Sequence, residues 1–210
     1  MIDLDVKKVG RIPDGGGCRA HGCGSTQDLA ATNAKDRAAR EANRTGTRSP
    51  RGGYVYLHCA IDGYSHLAYT EHLADEKAAT TIGFWACARA FFAAHGIARV
   101  VCVITDNGAN CKAAALHRTI TATASRHQRI RPYTPRHNGR IERYNRILAE
   151  EFLYSRLWTS KAQRAEALKT WNFHYNYHRD HTAIGNQPPA SRLPAGPWGF
   201  CDSGGELSAG

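Results

Sequence analysis

The sequence has no long run of apolar residues and no cysteine motif. None of its apolar stretches approaches the roughly 20 residues that a membrane-spanning helix needs, which predicts a protein with no membrane partner. The opening residues, MIDLDVKKVG, lack the apolar segment of a secretory signal peptide. The seven cysteines are scattered without a CxxC pair. We therefore expect a cytoplasmic protein with free thiols and no disulfide framework.

One short segment contains three residue types that bind zinc. Cys18, His21 and Cys23 stand close together in CRAHGC. A structural zinc site takes four ligands, usually as two separated pairs. Since no second pair is evident in the sequence, we do not expect zinc here, and the role of the three residues stays open.

Acidic residues are scarce in one part of the chain. The net charge is +10 and the isoelectric point is about 9.5. Seven arginines lie between Arg126 and Arg146, and Glu142 is the one acid among them. A basic surface attracts nucleic acid through its phosphates. A single carboxylate kept inside this basic run indicates chemistry on a polyanion.

The hydrophobic pattern predicts an α/β domain. It predicts a mixed five-stranded sheet flanked by helices, because strand and helix patterns alternate along the chain. The predicted strands are Ile2–Val9, Tyr54–Asp62, His66–His72, Val100–Thr105 and Arg129–Arg131. The predicted helices are Glu76–His95, Ala113–Ala124, one from Asn138 onward, and Lys161–Tyr177.

Two regions stand apart from this pattern. Residues 10–53 are basic and have few large apolar side chains, so we expect a flexible insertion with at most a helical turn near Leu29–Glu41. Residues 181–210 are rich in proline and glycine and predict an extended C-terminal tail, frayed from Gly199 onward. The catalytic core is thus expected to span residues 1–180.

The helix from Asn138 is predicted to bury one stripe. Its apolar residues recur with helical spacing at Ile141, Tyr144, Leu148 and Phe152. Glu142 falls beside the stripe in the first turn, where the helix dipole favours a negative charge.

Two carboxylates, one at a strand end and one on this helix, suggest metal-dependent phosphoryl transfer on nucleic acid. Asp106 ends a buried strand in VVCVITDNG, and thirty-five residues separate it from Glu142. Two-metal catalysis needs clustered carboxylates around Mg²⁺ or Mn²⁺. The residues alone leave the third acid open between Asp5 in the first strand and Asp62 before a turn, with Asp3 as a lesser rival.

Five segments resemble the catalytic core of bacterial insertion-sequence transposases, the DDE group related to retroviral integrases. They lie in order along most of the chain, and the thirty-five-residue spacing matches the DD(35)E spacing of that group. The similar segments are LDVKKVGRIPDGGG, GGYVYLHCAIDGYSHLAY, ITDNGAN, RPYTPRHNGRIERYNRIL and YNYHRDHTAIGNQPP.

The resemblance implies a ribonuclease-H-like fold and the catalytic, metal-binding set Asp5, Asp106 and Glu142, with Asp62 as the fallback third acid. It implies two Mg²⁺ or Mn²⁺ ions, cleavage and strand transfer on DNA during transposition, assembly of a homo-multimer on DNA, and location at the bacterial nucleoid. Asn107 and Gly108 would shape the turn that holds Asp106. The expected DNA contacts are Arg131, Tyr133, Arg136, His137, Asn138, Arg140, Arg143 and Arg146.

Members of this group carry an N-terminal helix-turn-helix region that reads the element ends. Met1 stands four residues before Asp5, so we expect that region to be missing from this sequence. Two alternatives therefore stay open: a truncated, inactive remnant that only binds DNA, and a ribonuclease-H-like nuclease that hydrolyses without strand transfer.

Overall fold

The computed structural model of the chain describes residues 1–12, 18–46, 53–124, 126–131 and 138–194. The strands are β1 (Ile2–Gly10), β2 (Tyr54–Asp62), β3 (Ala68–Leu73), β4 (Val103–Thr105) and β5 (His127–Arg129). The α-helices are α1 (Cys18–His21), α2 (Thr26–Arg44), α3 (Ala78–Ala94), α4 (Ala109–Lys112), α5 (Ala114–Thr123), α6 (Gly139–Leu148) and α7 (Lys161–Tyr177).

The strands form one mixed sheet with β1 at its centre. The order is β3-β2-β1-β4-β5. The hairpin partners β1, β2 and β3 run antiparallel, whereas β4 and β5 run parallel to β1. Parallel neighbours need a crossover connection, and α3 and α5 precede β4 and β5 as those connections. The predicted mixed five-stranded sheet is confirmed.

Each face of the sheet is covered by its own helices. On one face, Ile2 and Leu4 pack with Trp85 and Phe92 of α3 and with Leu116 of α5. The other face carries Val9, the alternate residues Val55 to Ile61 of β2, and the apolar sides of α6 and α7. Because side chains alternate along a strand, Asp3 and Asp5 share the α6 face with Val9.

The predicted stripe of α6 is confirmed. Ile141 and Leu148 are fully buried, and Tyr144 and Phe152 are 1% exposed. The helix passes into a π-helical turn, Ala149–Leu153, which buries both Phe152 and its neighbour Leu153. The Tyr144 ring packs edge-on against Tyr175 of α7, with 4.9 Å between ring centroids. The helix carrying Glu142 is therefore held against the sheet along its whole length.

The insertion contains more regular structure than predicted. A 19-residue helix, α2, occupies much of it. Ser25 caps its start by accepting the Asp28 N–H at 3.2 Å, and Arg44 pairs with Glu41 at its end. Alanine-rich sequence, a cap and an i,i+3 ion pair favour a helix even where little side chain is buried.

The tail also differs from the expected extended chain. Thr182–Ile184 and Pro189–Arg192 form short 3₁₀ helices. A bridge from His181 to Gln187 closes the first of them, with Gly185 in the left-handed region at φ 79°. The predicted boundary at residue 180 stays a prediction, and Gly199–Gly210 lies outside the described residues.

Small shifts separate several predicted strands from those observed. The last strand, β5, begins two residues before the predicted Arg129–Arg131, and β4 is three residues long. Within the part of the chain that the structure describes, no helix is long and apolar enough to span a bilayer.

Asn176 of α7 closes the edge of the sheet at β3. Its amide donates to the Ala68 carbonyl and accepts the Ala68 N–H, both at 2.8 Å, in a buried position. We expect Asn176→Ala to lower the free energy of unfolding by about 2–4 kcal/mol, because two buried backbone groups lose their partners. Urea denaturation measures this change.

Asn172→Ala is the matched control for this substitution. Asn172 stands one helical turn earlier and donates a single bond, to the Thr70 carbonyl at 2.9 Å. Its loss should cost about half as much. Equal effects of the two substitutions would contradict the role assigned to the paired amide.

Candidate active site

Asp5 lies in the central strand and is half-buried. Its Oδ1 accepts the Val6 N–H at 2.8 Å, and its Oδ2 accepts the Asn145 side-chain amide of α6 at 2.6 Å. Burial raises the pKa of Asp5, the Val6 N–H opposes this, and the charges of Asp106 and Glu142 raise the pKa further. Asp106 and Glu142 therefore each lie within electrostatic reach of Asp5.

Asp106 follows β4 and begins a tight turn. In the parallel pairing of β1 with β4, Leu4 stands opposite Thr105, which places Asp106 beside Asp5 at the same end of the two strands. Its Oδ1 accepts the Gly108 N–H at 2.9 Å. A Cβ on Gly108 would come 3.0 Å from that oxygen and 2.7 Å from Asn110 Oδ1, so a larger residue would displace the side chains of Asp106 and Asn110.

The turn is also tied to the neighbouring strand. Asn107 donates its side-chain amide to the Ile130 carbonyl at 2.8 Å. Asn107 and Gly108 thus have the geometry expected of the residues that orient Asp106.

Glu142 occupies the first turn of α6 and is exposed. Its backbone N–H donates to the Asn138 carbonyl at 3.0 Å. The helix dipole favours a carboxylate at this position. The side chain is available to a ligand, while its backbone is fixed by the packing of α6.

The three acids are near one another without forming a closed cluster. Among the residues that the structure describes, no group of three or more His, Cys, Asp or Glu side chains is arranged to hold a metal ion. Asp5 and Asp106 are held by backbone hydrogen bonds, so a shared ion would require movement at Glu142.

Asp62, the fallback acid, is used within its own turn. Its Oδ2 accepts the N–H groups of Tyr64 and Ser65 at 3.1 and 2.8 Å, and the Ser65 hydroxyl at 2.9 Å. The residue is 3% exposed. This is the geometry of a turn-capping aspartate.

Asp3, the lesser rival, forms an ion pair with Arg140 of α6. The Arg140 Nε stands 2.9 Å from Oδ2, and its Nη2 stands 3.3 Å from Oδ1. Asp3 is fully buried; burial raises its pKa, and the bond from Arg140 opposes that effect. Arg140 is thus half-buried and paired, unlike the exposed phosphate contact expected from the sequence.

The other expected DNA contacts divide into three groups. Arg131, Arg143 and Arg146 are exposed. Asn138 is 5% exposed and its side-chain oxygen has no partner among the described residues. Tyr133, Arg136 and His137 lie outside the described residues.

The cysteine-containing segment is separate from the acids. Cys18 and Cys23 are exposed, and a hydrogen bond donated by the Cys23 thiol to Cys18 raises the pKa of Cys23. The two thiols are therefore close together.

Asn145 was not identified from the sequence. It stands three residues after Glu142, so helical spacing alone places it near the face that carries the acid. The residue type gave no signal, because an amide neither titrates nor appears in a carboxylate motif. Its contact with Asp5 joins residues 140 positions apart.

Two family models match the chain, and both are described as integrase core domains. One covers residues 44–135 and the other covers residues 123–189. An insertion element IS476 uncharacterized 39.2 kDa protein from Xanthomonas euvesicatoria is 34% identical over 88 residues. That match covers 42% of this chain and 25% of the relative, so the similarity extends over a quarter of the longer protein.

Solved structures share the fold at low identity. A chain of the simian T-cell lymphotropic virus intasome, in complex with the PP2A regulatory subunit B56 gamma, has a TM-score of 0.59 at 18% identity. The match covers 94% of this chain and 54% of that one. The HTLV-2 integrase catalytic core domain, in complex with magnesium in a trimeric form, has a TM-score of 0.52 at 14% identity, covering 89% and 90% of the two chains.

These structures show that the mixed five-stranded sheet is the ribonuclease-H-like sheet of integrases. The two family matches together cover residues 44–189, well over half of the chain. Residues 44–189 therefore match integrase core domains, which supports a core of the insertion-sequence transposase and integrase type.

Proposed function

We propose that this chain is the catalytic core of a DDE transposase that cleaves DNA and transfers DNA strands with divalent metal ions. One observation carries the proposal: Asp5 on the central strand lies beside Asp106 at the end of β4 and is hydrogen-bonded by Asn145 of α6, the helix that carries Glu142. Carboxylates from three separate parts of the chain would thus act together beside a basic helix, in a domain that matches integrase core models.

The donor set fits Mg²⁺ or Mn²⁺. Carboxylate oxygens are the ligands that these hard cations prefer, and a cation would offset the burial and the neighbouring negative charges that raise the pKa of Asp5. Asp5, Asp106 and Glu142 would hold two ions. Such ions supply activation of the attacking oxygen and stabilisation of the leaving oxygen. The magnesium in the HTLV-2 core domain supports this choice.

The chain's own residues orient the acids. Asn145 fixes one oxygen of Asp5, and the Gly108 N–H fixes one oxygen of Asp106. The ion pair between Asp3 and Arg140 joins β1 to the first turn of α6, which is the turn that carries Glu142. The scissile phosphate would lie among Asp5, Asp106 and Glu142.

The proposed reaction would consist of two successive displacements at phosphorus, hydrolysis first and strand transfer second. Water attacks a phosphodiester at the end of the element, a new P–O bond forms, and the bond to the 3′ oxygen breaks to release a 3′-OH. That hydroxyl then attacks a phosphodiester of target DNA and displaces the 3′ oxygen of the target strand. No covalent bond to the protein is needed.

DNA is the proposed partner because the surface near α6 is basic. The chain carries a net charge of +10, and Arg131, Arg143 and Arg146 are exposed around the acids. Assembly as a homo-multimer on DNA is proposed as well. It is supported by the trimeric form and the intasome in which the two structural neighbours were found.

A DNA-binding domain without chemistry is the second candidate. It is favoured by the absence, among the described residues, of a group of three side chains arranged to bind a metal. It predicts salt-sensitive DNA binding with no metal-dependent products.

Conservative removal of each acid tests the proposal. We expect Asp5→Asn, Asp106→Asn and Glu142→Gln each to reduce cleavage and strand transfer by at least about 10³-fold, because each removes a proposed metal ligand. Nonspecific DNA binding should be spared. The measurement uses labelled DNA with Mg²⁺ or Mn²⁺, and with EDTA as the metal-free control.

Asp62→Asn is the control for a carboxylate with a structural role. Its chemistry should be largely retained, although the turn that it caps is weakened. An inactive Asp62→Asn protein beside an active Asp5→Asn protein would overturn the assignment of the acids. Metal-dependent hydrolysis without joining would favour the ribonuclease-H-like nuclease.

Asn145 is expected to act by positioning Asp5. Asn145→Ala should raise the metal concentration for half-maximal activity by about 10–100-fold, the usual effect of losing a residue that orients a metal ligand. Metal titration of the cleavage rate measures this shift. Asn172→Ala, which also loses one side-chain amide bond, should leave the half-maximal concentration in place. An unchanged value for Asn145→Ala would show that the contact is only structural.

A further inference from the structure

A basic pocket lies on the side of α6 next to the proposed active site. Its volume is about 270 Å³, several times the roughly 30 Å³ that one water molecule occupies in the liquid. Residues of the β2–β3 hairpin, of α6 and of the segment after α7 line it. Its polar walls are His66, Arg140, Arg143, Arg179, Asp180 and His181.

Two of the three arginines in this pocket are already paired. Arg140 binds Asp3, and Arg179 binds both oxygens of Glu151, at 2.6 and 2.5 Å. Arg143 has no ion-pair partner within the described part of the chain, and its guanidinium contacts only the Thr182 hydroxyl there, at 3.5 Å. Arg143 therefore presents an uncompensated positive charge with most of its donors unused.

His181 adds a buried donor to the pocket. It is 6% exposed, and its Nδ1 lies 3.3 Å from Arg179 Nη1. A guanidinium only donates, so Nδ1 accepts and Nε2 carries the hydrogen. No acceptor among the described residues stands at hydrogen-bond geometry from Nε2, although the Tyr175 backbone is near enough to act on the pKa of the ring.

His66 is held toward the same pocket by an unusual backbone. Its φ is 65°, in the left-handed region that a non-glycine residue rarely adopts. The Asp62-capped turn contributes to this conformation through the His66 N–H, which donates to the Asp62 carbonyl at 3.0 Å. The result is a second imidazole that lines the same pocket as Arg143.

We propose that this pocket binds one phosphate group, with Arg143 as its charged anchor and the imidazoles of His66 and His181 as additional donors. A planar guanidinium suits two oxygens of a tetrahedral anion. Asp180 also lines the pocket but is exposed, so water screens its charge. The source is a backbone phosphodiester of DNA, and that identification rests on the proposed function.

The position of the pocket explains what such a phosphate would do. Arg143 directly follows Glu142 on α6. A DNA phosphate held there would fix the strand beside the acids without contacting them. This pocket would thus set the register of the strand.

Imidazole NMR signals test the proposal without metal or chemistry. The full chain is titrated in EDTA with inorganic phosphate, at an ionic strength kept constant with chloride, while the His66 and His181 signals are followed. We expect saturable shifts of both. Arg143→Gln should weaken the response at least about tenfold, and Arg143→Lys should restore part of it. Arg89→Gln, at an exposed position of α3 outside the pocket, should retain it.

A second arm replaces phosphate with a short DNA duplex. Shifts of the same signals by DNA, reversed by added phosphate, identify the backbone phosphodiester as the ligand. A response to inorganic phosphate but not to DNA supports the pocket as a phosphate site and shows that a DNA phosphodiester is not its ligand. No response to either, or an unchanged response in Arg143→Gln, overturns the proposal. Since cleavage is not measured, an inactive core would not affect these outcomes.

Discussion

The arrangement of this domain depends on two carboxylates on one face of its central strand. Asp3 and Asp5 both point toward α6, and Asp3 is completely buried. A buried carboxylate is costly unless it is paired and hydrogen-bonded. The same helix supplies both partners, Arg140 for Asp3 and Asn145 for Asp5. These two contacts tie α6 to β1 at two points, so they help to determine where Glu142 lies.

Apolar packing of α6 against the sheet and α7 stabilises the same arrangement. The buried stripe of α6 sets the side of the helix that faces the sheet, and Tyr144 packs against both Trp171 and Tyr175 of α7. Parallel pairing of β1 with β4 brings Asp106 to the end of the sheet where Asp5 lies. The strand pairing therefore brings Asp5 and Asp106 to the same end of the sheet, although they are far apart in sequence. Individual hydrogen bonds then orient their side chains.

The elements predicted well from the sequence are those whose signal is local. The stripe of α6 has helical spacing, and the turn at Asp62 has its own acid and glycine, so neighbouring residues carry the information. Helix α2 is longer than the predicted helical turn because its cap and its alanines favour a helix although it has few large apolar residues. The pairing of Asp3 with Arg140 could not be predicted, since strand alternation gives the face of a side chain but not its partner 137 residues away.

The hydrogen bonds of Asp5 orient its carboxylate and leave each of its oxygens able to accept a further ligand. A carboxylate offers about four lone-pair directions, and the bonds from Val6 and Asn145 occupy one on each oxygen. Asp5 can therefore keep both bonds while it binds a cation. Asp106 is constrained in the same way by Gly108. Glu142 differs, because its side chain is exposed and reaches from the first turn of a helix. If the three acids close on an ion, the motion required falls on Glu142, and the ion pair of Asp3 with Arg140 limits how far its helix can move to supply it.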